Sequence, residues 1–145
     1  MSARLIGIAR RDKPRAPMEM LQRANVTTGA GIDGDCRGTI EDRQVTLIFR
    51  EDWDAACQAL GRELPWITRR ANLLVEGLTD FKRVGTQLRV GSALLEITEE
   101  NPPCRLMDIL ADGLRVALQP EWRGGVACRV LQDGTITLGD KVAVI

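Results

Sequence analysis

Apolar runs and alternating positions along the chain predict a fold built mainly from short strands. Leu5-Ile6-Gly7-Ile8-Ala9 reads as a first strand, and the charged, proline-containing stretch from Arg10 to Pro17 as an exposed loop. Met18 to Thr28 holds a further strand. It runs into Gly29-Ala30-Gly31-Ile32-Asp33-Gly34-Asp35, a glycine-rich turn region where positive φ angles meet little steric resistance. Val45 to Phe49 is a β-rich apolar run. From Glu51 the period changes: Trp53, Ala56, Cys57 and Leu60 fall at i, i+3, i+4 and i+7, the stripe of a helix that Gly61 ends. Ala71 to Val75 is another short strand.

Two hairpins are predicted in the second half. Leu88 to Val90 and Ala93 to Thr98 flank Gly91-Ser92, while Val126 to Leu131 and Thr135 to Leu138 flank Asp133-Gly134, a dipeptide suited to a tight turn. Between them, Arg105 to Leu118 carries Leu106, Ile109, Leu110 and Leu114 at helical spacing, as one helix or two short ones broken near Gly113. Several short strands with two or three helices, and no regular βαβ alternation, predict a strand-dominated α+β domain with a barrel-like core rather than a doubly wound sheet.

Length and composition fit that picture. A chain of 145 residues is the usual size of one domain, so residues 1–145 are expected to enclose a single core. The apolar runs are too short to span a bilayer and the N-terminus lacks a signal-peptide apolar segment, so no membrane association and a cytoplasmic location are expected. Lys plus Arg and Asp plus Glu both number 20, leaving no net field to draw nucleic acid, and 3% aromatics leave few surfaces on which bases could stack. Lysine occurs only at Lys13, Lys82 and Lys141, so the cations are mostly arginine. That residue suits oxyanion recognition, though a biased genome composition gives the same pattern.

The chain has no histidine and no tyrosine. Without histidine there is no Ser-His-Asp or Cys-His nucleophile system, no His-ligated zinc and no imidazole acid-base chemistry. Attention moves to the cysteines at 36, 57, 104 and 128, which form no CxxC pair and, in a chain with no export signal, are expected as free thiols. Cys57 lies on the helical stripe and Cys128 shares a strand face with Val126 and Val130, so both are expected in the core. Cys36 sits in the glycine-rich loop between Asp35 and Arg37. Cys104 follows Asn101-Pro102-Pro103 and precedes a helical pattern; the prolines stiffen the corner, and helix-start amides with neighbouring Arg105 favour a thiolate. A thiolate there attacks electrophiles or binds a soft metal.

Two other motifs invite a functional reading. Gly29-Ala30-Gly31-Ile32-Asp33-Gly34 matches GxGxxG in form, but the residues after it hold no amphipathic helix, so a dinucleotide site is not expected. Arg69-Arg70-Ala71-Asn72 places two guanidiniums and an amide before a strand, a set able to hold a phosphate or a heterocycle edge, or simply to meet solvent.

Several segments together resemble the MOSC family, the domain named for the C-terminal part of molybdenum cofactor sulfurase. Gly31-Ile32-Asp33-Gly34-Asp35 followed by Arg43-Gln44-Val45-Thr46-Leu47-Ile48 is similar to its glycine-acid loop and strand. Arg70-Ala71-Asn72 through Gly77-Leu78 resembles its arginine-asparagine strand. Pro103-Cys104 is similar to its proline-cysteine centre, and Val130-Leu131 through Gly139-Asp140 to its closing hairpin. The chain departs from the pattern at Cys36-Arg37, where relatives often carry a histidine, and at Phe49-Arg50, where they often carry Ser or Thr.

The resemblance implies a β-barrel of the pyruvate-kinase-barrel type and a functional thiol at Cys104. In one reading Cys104 binds the metal of a molybdenum-pterin cofactor, Arg70 and Arg69 hold its phosphate, and Asn72 and Asn101 are hydrogen-bonding partners. Such a protein reduces N-hydroxylated compounds with electrons from a separate electron-transfer protein. In a second, Cys104 accepts sulfur as a persulfide from a cysteine desulfurase and delivers it to a metal-sulfur centre; no pyridoxal phosphate is expected on this chain. In a third, the barrel is a non-enzymatic binding module.

Overall fold

The computed structural model describes residues 2–145. It contains strands β1 (Ala3–Arg10), β2 (Glu19–Met20), β3 (Arg23–Thr27), β4 (Gly31–Ile32), β5 (Val45–Phe49), β6 (Leu73–Glu76), β7 (Gln87–Val90), β8 (Ala93–Glu100), β9 (Val126–Gln132), β10 (Gly134–Thr137) and β11 (Lys141–Val144). The helices are α1 (Arg50–Leu60), α2 (Arg105–Leu110) and α3 (Leu114–Ala117). Strands β11-β7-β8-β9-β5-β6-β1 form a continuous sheet, and pairing of β11 with β1 closes it into a barrel. The β5–β6 pair is parallel and every other barrel pair antiparallel.

The barrel follows from residue alternation. On β5, Val45, Leu47 and Phe49 point inward to join Leu73 and Val75 of β6, Leu95 and Ile97 of β8 and Val126, Cys128 and Val130 of β9. The alternate residues Ile48 and Leu74 face outward, where Trp53 and Ala56 of α1, Met107 of α2 and Leu114 of α3 cover them in a second core. The two cores explain why β5 reads as an unbroken apolar run: both of its faces are buried. Helix α1 ends as its sequence predicts, with Gly61 at φ 76° and its N–H on the carbonyls of Cys57 and Gln58.

Two expectations about turns have different outcomes. Gly91-Ser92 does link the antiparallel pair β7–β8, with Val90 opposite Ala93. Asp133-Gly134 does not make a hairpin, because β9 pairs with β8 and β5 while β10 pairs with β3 in a separate sheet, β10-β3-β4. Asp133 instead accepts a hydrogen bond from the Thr28 N–H at 2.7 Å, tying the connection to the far strand. Strand β11, which closes the barrel, was not expected from local pattern. The helical region 105–118 is split at Gly113, whose φ is 89°.

The glycine-rich segment is a tight crossing and not a phosphate loop. Gly31 and Ile32 form β4, and no helix starts before Arg50. A side chain on Gly38 would place its Cβ 1.6 Å from the Ala30 carbonyl oxygen, so the two loop arms touch backbone to backbone.

Candidate functional site

Cys104 stands where the sequence places it, at the corner between β8 and α2. Beyond Glu100 the Asn101 N–H donates to the Gly125 carbonyl, the two prolines follow, and Cys104 is the extended residue capping α2, its carbonyl accepting the Met107 N–H at 3.0 Å. The thiol is exposed. It borders a pocket of about 280 Å³ on the outer side of the barrel, into which five segments bring arginines or amides.

Arg69 is buried, 6% exposed, and locks this corner. Its Nε donates to the Gly124 carbonyl at 2.9 Å and its Nη2 to the Asn101 carbonyl at 2.8 Å, while Nη1 faces the Met107 sulfur at 3.8 Å. Burial pulls its guanidinium down to about 10, and the neighbouring Cys104 opposes that shift. Arg70 takes a left-handed φ of 64° and is half-buried. Its Nη2 donates to the carbonyls of Ala16 at 2.6 Å and Pro14 at 3.3 Å. Desolvation lowers its guanidinium as well, with Arg11 acting in the same direction.

The two asparagines differ in what they leave free. Asn72 is buried and its amide is saturated: Oδ1 accepts from the Thr46 N–H and hydroxyl, and Nδ2 donates to the Ala9 carbonyl and to Asp35 Oδ1. It therefore braces β1, β5 and the 35–37 loop against one another. Asn101 uses its Oδ1 to accept from Arg43 Nη2 at 2.8 Å, and among the described residues its Nδ2 donates to no protein acceptor. That amide donor is available at the pocket wall.

Three pocket arginines were not singled out by the sequence: Arg11, Arg37 and Arg43. Arg43 is paired with Glu99. Arg11 is buried, 8% exposed, donates from Nη1 to the Arg70 carbonyl at 3.0 Å, and leaves its Nε without a partner. Arg37 makes no side-chain hydrogen bond among the described residues, and only its backbone N–H meets Asp35 Oδ2. Asp35 is the one acid lining the pocket, and its carboxylate is occupied by the N–H groups of Arg11, Arg37 and Asn72. None of Arg11, Arg37, Arg69 and Arg70 has a carboxylate within ion-pair distance among the described residues. Buried cations are ordinarily paired, and Arg11 and Arg69 are buried here without an acid. The Arg69-Arg70 pair was visible in the sequence, but the approach of Arg11, Arg37 and Arg43 to it from distant positions leaves no local signal beyond the general excess of arginine over lysine.

The other cysteines take the places expected or close to them. Cys128 lies inside the barrel, fully buried, and burial pushes its thiol up. Cys57 is half-buried at the edge of the outer core, and Cys36 is half-buried beside Arg37. No three Cys, Asp or Glu side chains group as a metal site among the described residues, and no helix there is long and apolar enough to cross a membrane.

The sequence pattern of the MOSC domain matches residues 14–143. Among solved structures, the YuaD protein of Bacillus subtilis superposes with a TM-score of 0.82 at 18% identity, over 98% of this chain and 94% of that one. YiiM from Geobacillus stearothermophilus gives 0.77 at 20% identity, over 99% and 75%. YiiM from Escherichia coli gives 0.73 at 17%, over 98% and 69%. At such identities the likeness is one of fold. None of the curated proteins matches this chain in sequence.

Proposed function

Because the chain belongs to the MOSC domain family, we propose that it binds a molybdenum-pterin cofactor, with the Cys104 thiolate as the protein's ligand to the metal. The observation that carries this reading is the pocket itself: four guanidiniums without a carboxylate, one with an orphaned buried Nε, beside an exposed thiol. A soft metal suits a thiolate, and an anionic phosphate suits arginine. The donor set therefore fits the group. A volume of about 280 Å³ is slightly below the roughly 300–1,000 Å³ of small-molecule sites, so a bound cofactor would extend over the rim.

When bound, the cofactor supplies a two-electron redox centre. The chain's own residues have separate tasks. Arg70 and Arg37 present charge to the anionic part, and Asn101 Nδ2 offers a donor. Arg69 fixes the Cys104 corner and Asn72 fixes the loop that carries Asp35 and Arg37. Met107 and Leu106 give the pocket an apolar wall. The reaction proposed is reduction of an N-hydroxylated compound, with electrons from a separate protein. Metal and pterin analysis of protein made in a cofactor-competent host tests this. Stoichiometric molybdenum in the wild type and its loss in Cys104→Ala are expected; a wild type without molybdenum and pterin would overturn it.

Sulfur carriage is the second reading, favoured by the exposure of Cys104, since a persulfide must be reached by both donor and acceptor proteins. A cysteine desulfurase would load the thiol and peptide mass spectrometry would locate the sulfur. A binding module with an inert thiol is the reading that this exposure supports least.

A further inference from the structure

We propose that Cys104 takes sulfur directly from a small sulfane-sulfur dianion, thiosulfate, which the pocket arginines hold for attack. This rests on the sulfur-carrying reading of Cys104 and names its donor. The argument starts from charge. Thiolate and thiosulfate together bring three negative charges into contact, and a site that joins them needs several cations uncommitted to acids. Arg11 is buried, lines the pocket and leaves its Nε without an acceptor. Arg37 has no side-chain partner among the described residues, and Arg69 and Arg70 bond only neutral groups. The lone lining acid, Asp35, is turned to amide N–H groups. The pocket's guanidiniums therefore outnumber its one carboxylate and the Cys104 thiolate, and their forks match a sulfonate face.

The step balances without another reagent. The Cys104 thiolate attacks the terminal sulfur; a Cys Sγ–S bond forms as the bond between the sulfane and sulfonate sulfurs breaks. The bonding pair leaves on sulfite. The products are one persulfide anion and one sulfite dianion, so the total charge of minus three is kept. Arginines on the sulfonate oxygens stabilise the charge that grows on the leaving group. Sulfate and phosphate fit the same cations but offer no sulfane sulfur, so they act as competitors.

The test incubates the purified chain with thiosulfate, then measures sulfite released and the mass of the Cys104 peptide. One sulfite per chain and a gain of one sulfur atom on Cys104 are expected, both abolished in Cys104→Ser and competed by sulfate. Arg37→Gln, which breaks no bond within the protein, should melt like the wild type yet raise the half-saturating thiosulfate concentration about tenfold. No sulfite and no mass gain, in protein that a cysteine desulfurase still loads, would overturn the donor and leave the carrier reading standing. If the desulfurase fails as well, both fall. An unchanged thiosulfate dependence in Arg37→Gln, or sulfur found on Cys36, would also overturn the proposal.

Discussion

Arg69 Nη2 donates to the carbonyl oxygen of Asn101 at 2.8 Å, so a buried cation grips the backbone three residues before the exposed thiol of Cys104. With the bond from Nε to Gly124, this one side chain holds both stretches of chain that meet at the corner. Arg69→Met leaves two buried carbonyls without donors and is expected to lower stability by about 2–4 kcal/mol. Arg69→Lys keeps the charge without the fork and should recover less than half of that. Urea denaturation of the three proteins checks both; wild-type stability in Arg69→Met would remove the corner-locking role.

Asn72 is expected to be as sensitive. Asn72→Ala removes four side-chain hydrogen bonds that join Thr46, Ala9 and Asp35, for a loss of about 2–4 kcal/mol. Asn72→Asp is expected to be worse at neutral pH, because an oxygen then faces the Ala9 carbonyl and the Asp35 carboxylate. Melting curves of the aspartate variant should improve on mild acidification, as one of the two carboxylates takes up a proton. A loss that is the same at both pH values would contradict that account.

Reactivity should separate the cysteines. A short pulse of a neutral alkylating reagent on the native protein is expected to label Cys104 first, with Cys36 and Cys57 behind it. Cys128 should label only after unfolding, being enclosed by the barrel with its thiol pushed up by burial. Peptide mass spectrometry with and without urea reads the order, and early labelling of Cys128 would mean the barrel breathes far more than its packing suggests.

Asp52 gives a pH dependence with a definite sign. Burial raises its carboxyl above the ordinary value of 3.8, outweighing the hydrogen bond and charge of Lys82. The folded state thus binds its proton before the unfolded state does. The contribution to stability is fully present below the unfolded value and lost as pH rises through the folded one. Wild type should therefore gain on Asp52→Asn as pH falls toward 4, when denaturation curves of the two are compared. A wild type that loses stability relative to Asp52→Asn as pH falls would reverse the assignment.

What the sequence made legible were the features set by neighbours a few residues apart. The apolar run at Val45 to Phe49, the stripe from Trp53 to Leu60 and the corner at Pro103-Cys104 all depend on local period or on proline. Asp133-Gly134 misled because a turn dipeptide says nothing of its strands' partners, and β10 finds β3 more than a hundred residues away. The pocket was half visible for the same reason. Cys104, Arg69, Arg70, Asn72 and Asn101 lie in recognisable segments, whereas Arg11, Arg37 and Arg43 matter because they lack or share acids, a property that exists only after folding. Asn72, read as a possible contact for a ligand, turns out to have every amide position engaged.

The pairing of β1 with β11, which closes the barrel, also sets a timetable for synthesis. Strand β1 is joined along one edge by β6 and, at Ala9 and Arg10, on the other by β2, but Ala3 and Arg4 wait for Val142 and Lys141. Until those residues emerge the nascent chain carries two open strand edges, on β1 and β7, each a template for wrong pairing. The thiol corner and all five arginines have by then been made. The cell thus holds, for a moment, a chain whose pocket residues are complete and whose frame is not.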